Sequence, residues 1–95
     1  MHIITRRRLL EFGERHADAA EPLDVWFRTA KAAKWSSLVD VRGALPAADL
    51  VGDLTVFNIK GNAYRLVTFV NYRSQAIYIR DILTHAEYSK GGWKR

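Results

Sequence analysis

The sequence predicts an α+β domain, with helices first and an antiparallel sheet after them. Three observations carry this. Between residues 22 and 33 the apolar side chains Leu23, Trp26, Phe27, Ala30 and Ala33 recur at spacings of three and four, the period of a helix with one buried stripe. From residue 54 onward, runs rich in β-branched and aromatic residues are separated by the turn-like segments Lys60-Gly61-Asn62 and Tyr72-Arg73-Ser74-Gln75. Charge divides at the same place. Residues 1–53 hold eight Lys/Arg and eight Asp/Glu, whereas the remainder holds seven Lys/Arg against Asp81 and Glu87, so the strand-rich half carries the whole net charge of +5. A neutral scaffold bearing a basic surface suits a polyanionic ligand. At 95 residues and 48% apolar content the chain is expected to form one domain, residues 1–95.

Residues 1–4 form a short apolar run, read as a first strand. Thr5 is placed to cap a helix reaching about His16, with Leu9, Leu10 and Phe12 as its apolar residues. Arg6, Arg7 and Arg8 fall in its first turn, where cations oppose the helix dipole, and are read as a solvated face; the alternative is that they extend a positive field toward a ligand. Pro22 starts a second helix, with Trp26 a packing residue. Ser36 or Ser37 caps a short helical turn that Gly43 ends, and residues 44–53 read as an ordered loop. Three strands follow, at 54–59, 63–71 and 76–83.

Alternation places Arg65, Val67 and Phe69 on one side of the second of these strands, and Tyr78, Arg80 and Ile82 on one side of the third. A symmetric hairpin about Arg73-Ser74 pairs Val67 with Arg80 and Phe69 with Tyr78. Arg65, Tyr78 and Arg80 then share a face opposite Leu66, Val70, Ile77 and Ile79. Thr84 and Glu87 have the spacing of a capping box, which puts His85 in the first turn of a final short helix. The tail 89–95 is basic and contains Gly91, Gly92 and Trp93.

Several chemistries are excluded or disfavoured. Without cysteine there are no disulfides or thiolate metal sites, and His2, His16 and His85 have no metal-ligand spacing. No apolar run approaches a bilayer span, and MHIITRRR reverses the order of a secretory signal, so a cytoplasmic protein is expected. Hydrolysis by a pair of carboxylates is disfavoured, since the basic half has only Asp81 and Glu87, and no nucleophile elbow is present. Arg, His, Tyr and Lys together instead suit a cofactor-free, metal-free phosphodiester site. RNA brings its own 2′-hydroxyl nucleophile, guanidinium matches phosphate oxygens, and His and Tyr can move or donate a proton. A plain nucleic-acid-binding surface is equally compatible with these residue types.

The elements Phe57-Asn58, Gly61-Asn62, Tyr64-Arg65, Tyr78-Ile79-Arg80 and Thr84-His85-Ala86-Glu87-Tyr88, together with the MHIIT opening, resemble the HigB family of bacterial toxin–antitoxin toxins, within the RelE/ParE superfamily. The resemblance spans nearly the whole chain. It implies a RelE-like fold of order β-α-α-β-β-β and a ribosome-dependent mRNA endoribonuclease, neutralised by a small helix-turn-helix antitoxin of the HigA type. It also implies that Arg65 and Arg80 bind phosphate and that His85 transfers a proton with Tyr88 in support. Lys60, Asn62, Arg73, Tyr78 and Lys90 become candidates for RNA or ribosome contact. The strands lack the glutamate that some RelE relatives use as a base. Two alternatives share the residue pattern: a ParE-like inhibitor of DNA gyrase, and a non-catalytic RNA-binding domain.

Overall fold

A computed structural model of the chain describes residues 1–93; the last two residues of the expected basic tail, Lys94 and Arg95, lie outside the described residues. The order is β1 (His2–Ile4), α1 (Arg6–Arg15), α2 (Ala17–Ala32), α3 (Leu38–Ala44), β2 (Asp49–Val51), β3 (Leu54–Ile59), β4 (Tyr64–Asn71), β5 (Ala76–Thr84) and α4 (His85–Lys90). The α+β class holds, and the strands form one mixed sheet in the order β1-β5-β4-β3-β2. The three pairs from β2 to β5 are antiparallel, while β1 adds to β5 in parallel, reached through the helical half of the chain.

Helices α1 and α2 cover one face of the sheet. Leu9, Phe12, Leu23, Trp26, Phe27 and Ala30 meet Phe57, Ile59, Leu66, Val70, Ile77 and Ile79 there. Trp26, only 3% exposed, packs edge-on against Phe57 with ring centres 5.2 Å apart, and so is the packing residue its spacing suggests. The amino terminus caps α2 from outside: the Met1 ammonium donates to the carbonyls of Ala30, Lys31 and Ala33 at 3.2, 3.1 and 2.6 Å. A cation at a helix C-terminus satisfies carbonyls that have no partner within the helix.

The second helix begins five residues before Pro22. Ala17, Ala19 and Ala20 favour helix, Asp18 in the first turn complements the dipole, and Pro22 is accommodated within it. Gly13 eases the close α1–α2 corner, since a Cβ there would lie 3.1 Å from that of Ala20. Thr5 and Ser37 do occupy the N-caps of α1 and α3, though neither side chain bonds the helix, and α3 runs past Gly43 to Ala44.

Two expectations need correction. Within the expected loop, Asp49–Val51 pairs with β3 through a two-residue turn at Gly52-Asp53, with Gly52 at φ +64° supplying the left-handed backbone such a turn needs. The β4–β5 register also shifts. Phe69 does pair with Tyr78, but Val67 faces Asp81, because Arg80 is the extra residue of a bulge between Val67 and Thr68. Beyond the bulge the alternation inverts. Ile82 therefore joins the helix-side core, while Leu83 faces the opposite side with Leu54, Val56, Val67 and Phe69.

Candidate active site

The face of the sheet away from α1 and α2 is where the sequence placed its basic and aromatic residues. Its floor is a small apolar cluster of Leu54, Val56 and Val67, against which Leu83, Tyr88 and Trp93 pack. Helix α4 holds the last two in place. The capping box forms as its spacing predicts: Glu87 N–H donates to Thr84 Oγ1 at 3.2 Å, and Thr84 N–H donates to Glu87 Oε1 at 2.9 Å. At the other end Gly91 takes a left-handed conformation, φ +75°. The chain reverses there, and the Trp93 indole N–H donates to the Tyr88 carbonyl at 2.9 Å with the two rings stacked 4.7 Å apart.

Arg65 completes this layer. Its guanidinium carbon stands 5.1 Å from the centre of the Tyr88 ring. Nη1 donates to the carbonyls of Asn62 and Tyr64 at 3.0 and 3.3 Å, and Nη2 donates to Asn62 Oδ1 at 3.3 Å. All these acceptors are neutral, so they orient the guanidinium without bringing an opposing charge beside it. Asn62 can do this because the positive φ of Lys60 and Gly61 folds the β3–β4 turn back toward β4.

Arg65 thus contacts both Asn62 and Tyr88. His85 is exposed at the start of α4, where its backbone N–H donates to the Ala63 carbonyl at 3.0 Å and ties the helix to the same turn. Arg80 and Tyr78 are exposed further along β5, and the bulge directs Arg80 out of the ladder. Lys90 is exposed at the end of α4. Among the described residues no ion pair involves Arg65, Arg80 or Lys90, which leaves these cations without carboxylate partners.

Two candidates are placed elsewhere. Arg73 sits in the β4–β5 turn, the far end of the hairpin from α4. Lys60 is turned to the helical side, where its ammonium lies 2.9 Å from Asp18; Asp18 also accepts the Tyr64 hydroxyl at 2.7 Å. These bonds, Tyr64 first and Lys60 second, hold the Asp18 carboxyl below its ordinary value of 3.8, and the same bond raises the Tyr64 phenol above 10.0. The depressed carboxyl stabilises the fold above its unfolded value and ceases to do so as pH falls through the folded value; the phenol contributes below pH 10 and stops as its own proton leaves. Asp18→Asn is therefore expected to flatten the acid limb of stability below pH 4, measured by thermal melts from pH 2.5 to 7. An unchanged acid limb would contradict this.

The arginine triplet at the start of α1 is also not simply solvated. Arg6 pairs with Asp24 at 3.8 Å and lies over Phe27, and Arg8 donates to the Ile79 carbonyl at 3.2 Å, just beyond the last residue that β1 pairs. That brings a further cation to the chain position next to Arg80. The apolar depression between α1 and α2, bordered by Leu9, Leu10 and Phe27, holds only the engaged Arg6 and the acids Glu14 and Asp24 as charged groups, so it offers nothing for the chemistry expected.

Comparison with known proteins gives the family. Residues 19–91 match the family described as HigB toxin, RelE-like toxic component of a toxin–antitoxin system. The chain belongs to the HigB toxin family. The mRNA interferase toxin HigB of Escherichia coli strain K12 is 31% identical over 91 residues, covering 93% of this chain and 88% of that protein. The mRNA interferase HigB of Shigella flexneri matches to the same extent, and that of Escherichia coli O6:H1 is 27% identical over 93 residues, covering 95% of this chain and 90% of its own. As a member of a HigB family of toxic components, the chain has an antitoxin as its partner. Among the described residues no helix is long and apolar enough to cross a membrane.

An open depression of about 420 Å³ beside Arg65 and Tyr88 adds residues that sequence reasoning did not select, namely Arg42, Asp49 and Asn58. Asn58 was foreseeable, because it is the exposed polar position in an otherwise buried strand and lies directly across from Arg65. Arg42 was not, since only the unpredicted strand β2 brings the end of α3 to this face.

Proposed function

We propose that this toxin is an mRNA endoribonuclease that acts in the bacterial cytoplasm on message engaged by the ribosome, with the single domain of residues 1–95 carrying the whole activity. The observation that supports it most is Arg65: a guanidinium oriented by neutral acceptors, stacked on an aromatic ring and without a carboxylate partner among the described residues, at the edge of a polar depression. A resting site held ready for a phosphate looks like this. The named activity of the HigB relatives, mRNA interferase, agrees with it.

In this reading the substrate's 2′-oxygen attacks the adjacent phosphorus as its proton leaves to a base. The P–O5′ bond breaks as O5′ takes up a proton, leaving a 2′,3′-cyclic phosphate and a 5′-hydroxyl. Arg65 and Arg80 stabilise the charge that builds on the non-bridging oxygens. His85, exposed at the α4 start, is the principal proton-transfer group, and Tyr88 supports it. Asn62 orients Arg65, while Tyr78 and Lys90 add stacking surface and charge for the flanking RNA. The ribosome supplies the remaining positioning. A helix-turn-helix antitoxin of the HigA type is the proposed neutralising partner.

Brief expression in bacteria, with new 5′ ends mapped across the transcriptome, tests the proposal against an Arg80→Ala, His85→Ala double variant. New ends confined to translated regions and missing from the double variant are expected. Growth arrest with intact message and induced DNA damage would replace it with a gyrase-type toxin. Full arrest by a soluble double variant would reject the assigned roles.

A further inference from the structure

We infer that Arg42 forms a second phosphate-binding position beside Arg65, so that the RNA backbone is held from both walls of the depression. The inference rests on the site proposed above and extends it to a residue outside the β3–α4 segment. Arg42 lies on α3, far from Arg65 in sequence, yet both border the depression together with Asn58 and Tyr88. Both are anchored to backbone carbonyls, though through different nitrogens. Arg65 donates to the carbonyls of Asn62 and Tyr64, and Arg42 donates from Nε to the Ala48 carbonyl at 2.9 Å. A guanidinium has five donors, and a single backbone bond fixes its plane while leaving its outer edge for a bidentate oxyanion.

The competing group is Asp49, whose carboxylate lies 3.7 Å from Arg42 Nη2. Both side chains are about half exposed or more, and a pair of that length in water is weak, so phosphate can displace the carboxylate. Asn58 borders the same depression, exposed and paired in register with Arg65, with amide groups suited to a ribose or base edge. The depression thus offers two cations, an amide and the Tyr88 ring. A single-stranded ribonucleotide backbone has the complementary groups, phosphate and sugar.

The test is binding of a fluorescent single-stranded oligoribonucleotide, 2′-O-methylated throughout to block cleavage, measured from 50 to 300 mM salt. Four variants are compared with the wild type: Arg42→Ala, Arg42→Gln, Asp49→Asn and Arg65→Ala. Loss of one phosphate contact predicts that Arg42→Ala and Arg42→Gln weaken binding roughly tenfold at low salt and reduce the slope of log K against log salt by about 0.7. Asp49→Asn is expected to strengthen it. Arg42→Gln separates charge from scaffold, since its amide can still reach the Ala48 carbonyl. Wild-type affinity and slope in Arg42→Gln, with Arg65→Ala weakened, would overturn this inference and leave the site itself standing. Undetectable binding by the wild type, or full binding by Arg65→Ala, would overturn both.

Discussion

Arg65→Ala is expected to lower kcat/KM for message cleavage by roughly 10²–10³-fold, the usual cost of removing one preorganised donor to a developing oxyanion. The melting temperature should move little, because Arg65 is half-buried at the edge of β4 and takes no part in the helix-side core. Its partners explain the size of the effect. The acceptors on Asn62 and Tyr64 fix the guanidinium before substrate arrives, so no reorganisation is needed when charge builds on phosphorus. Arg65→Lys is expected to recover only a small part. A lysine ammonium keeps the charge but lacks the planar fork that can bond Asn62 with one edge and phosphate with the other. Cleavage assays on ribosome-bound message, with thermal melts of the same preparations, check both variants. Near-wild-type cleavage by a folded Arg65→Ala protein would remove Arg65 from the mechanism.

Where local chemistry settles conformation, this fold could be read in advance. The capping box at Thr84 and Glu87 needs residues only three apart, and it forms with both bonds made. The stripe from Leu23 to Ala30 is a single-element pattern and packs as its spacing implies. What could not be read depends on contacts between distant segments. Strand β2 is three residues long, too short for alternation to show, and exists because β3 offers it an edge. The bulge at Arg80 is a property of the β4–β5 pair. One inserted residue inverts every later side chain, sending Ile82 inward and Leu83 outward.

The geometry of the candidate site was legible where it is local. Arg65 meets Asn62 and Tyr88 through a turn and a capped helix, whereas the ion pair of Lys60 could not be read because its partner, Asp18, lies in α2. Charge along the sequence locates the basic half of the chain but cannot say which cations the fold will neutralise.

Phe57→Ala is expected to have the largest effect on stability. Phe57 is 2% exposed, and it is where the helical half is joined to the sheet. Trp26 of α2 meets its ring edge-on at 5.2 Å, and Trp35, from the segment before α3, stacks on it at 6.5 Å. Truncation would leave two indoles facing a cavity that neither can fill without leaving its own rotamer. Buried Phe→Ala changes cost about 3–5 kcal/mol, against a typical domain stability of about 5–15 kcal/mol. In a domain of this size that corresponds to a fall in melting temperature of about 12–40 °C. Activity should disappear with the fold, for a specific reason: the β3–β4 register that pairs Phe57 with Leu66 on the inner face also pairs Asn58 with Arg65 on the outer one. One ladder holds the core on one side and the proposed RNA site on the other. Phe57→Ala should therefore lose cleavage and thermal stability together, whereas Arg65→Ala loses cleavage alone. A Phe57→Ala protein that still melts cooperatively within about 5 °C of the wild type would show that the indoles repack, and that the sheet does not depend on this ring.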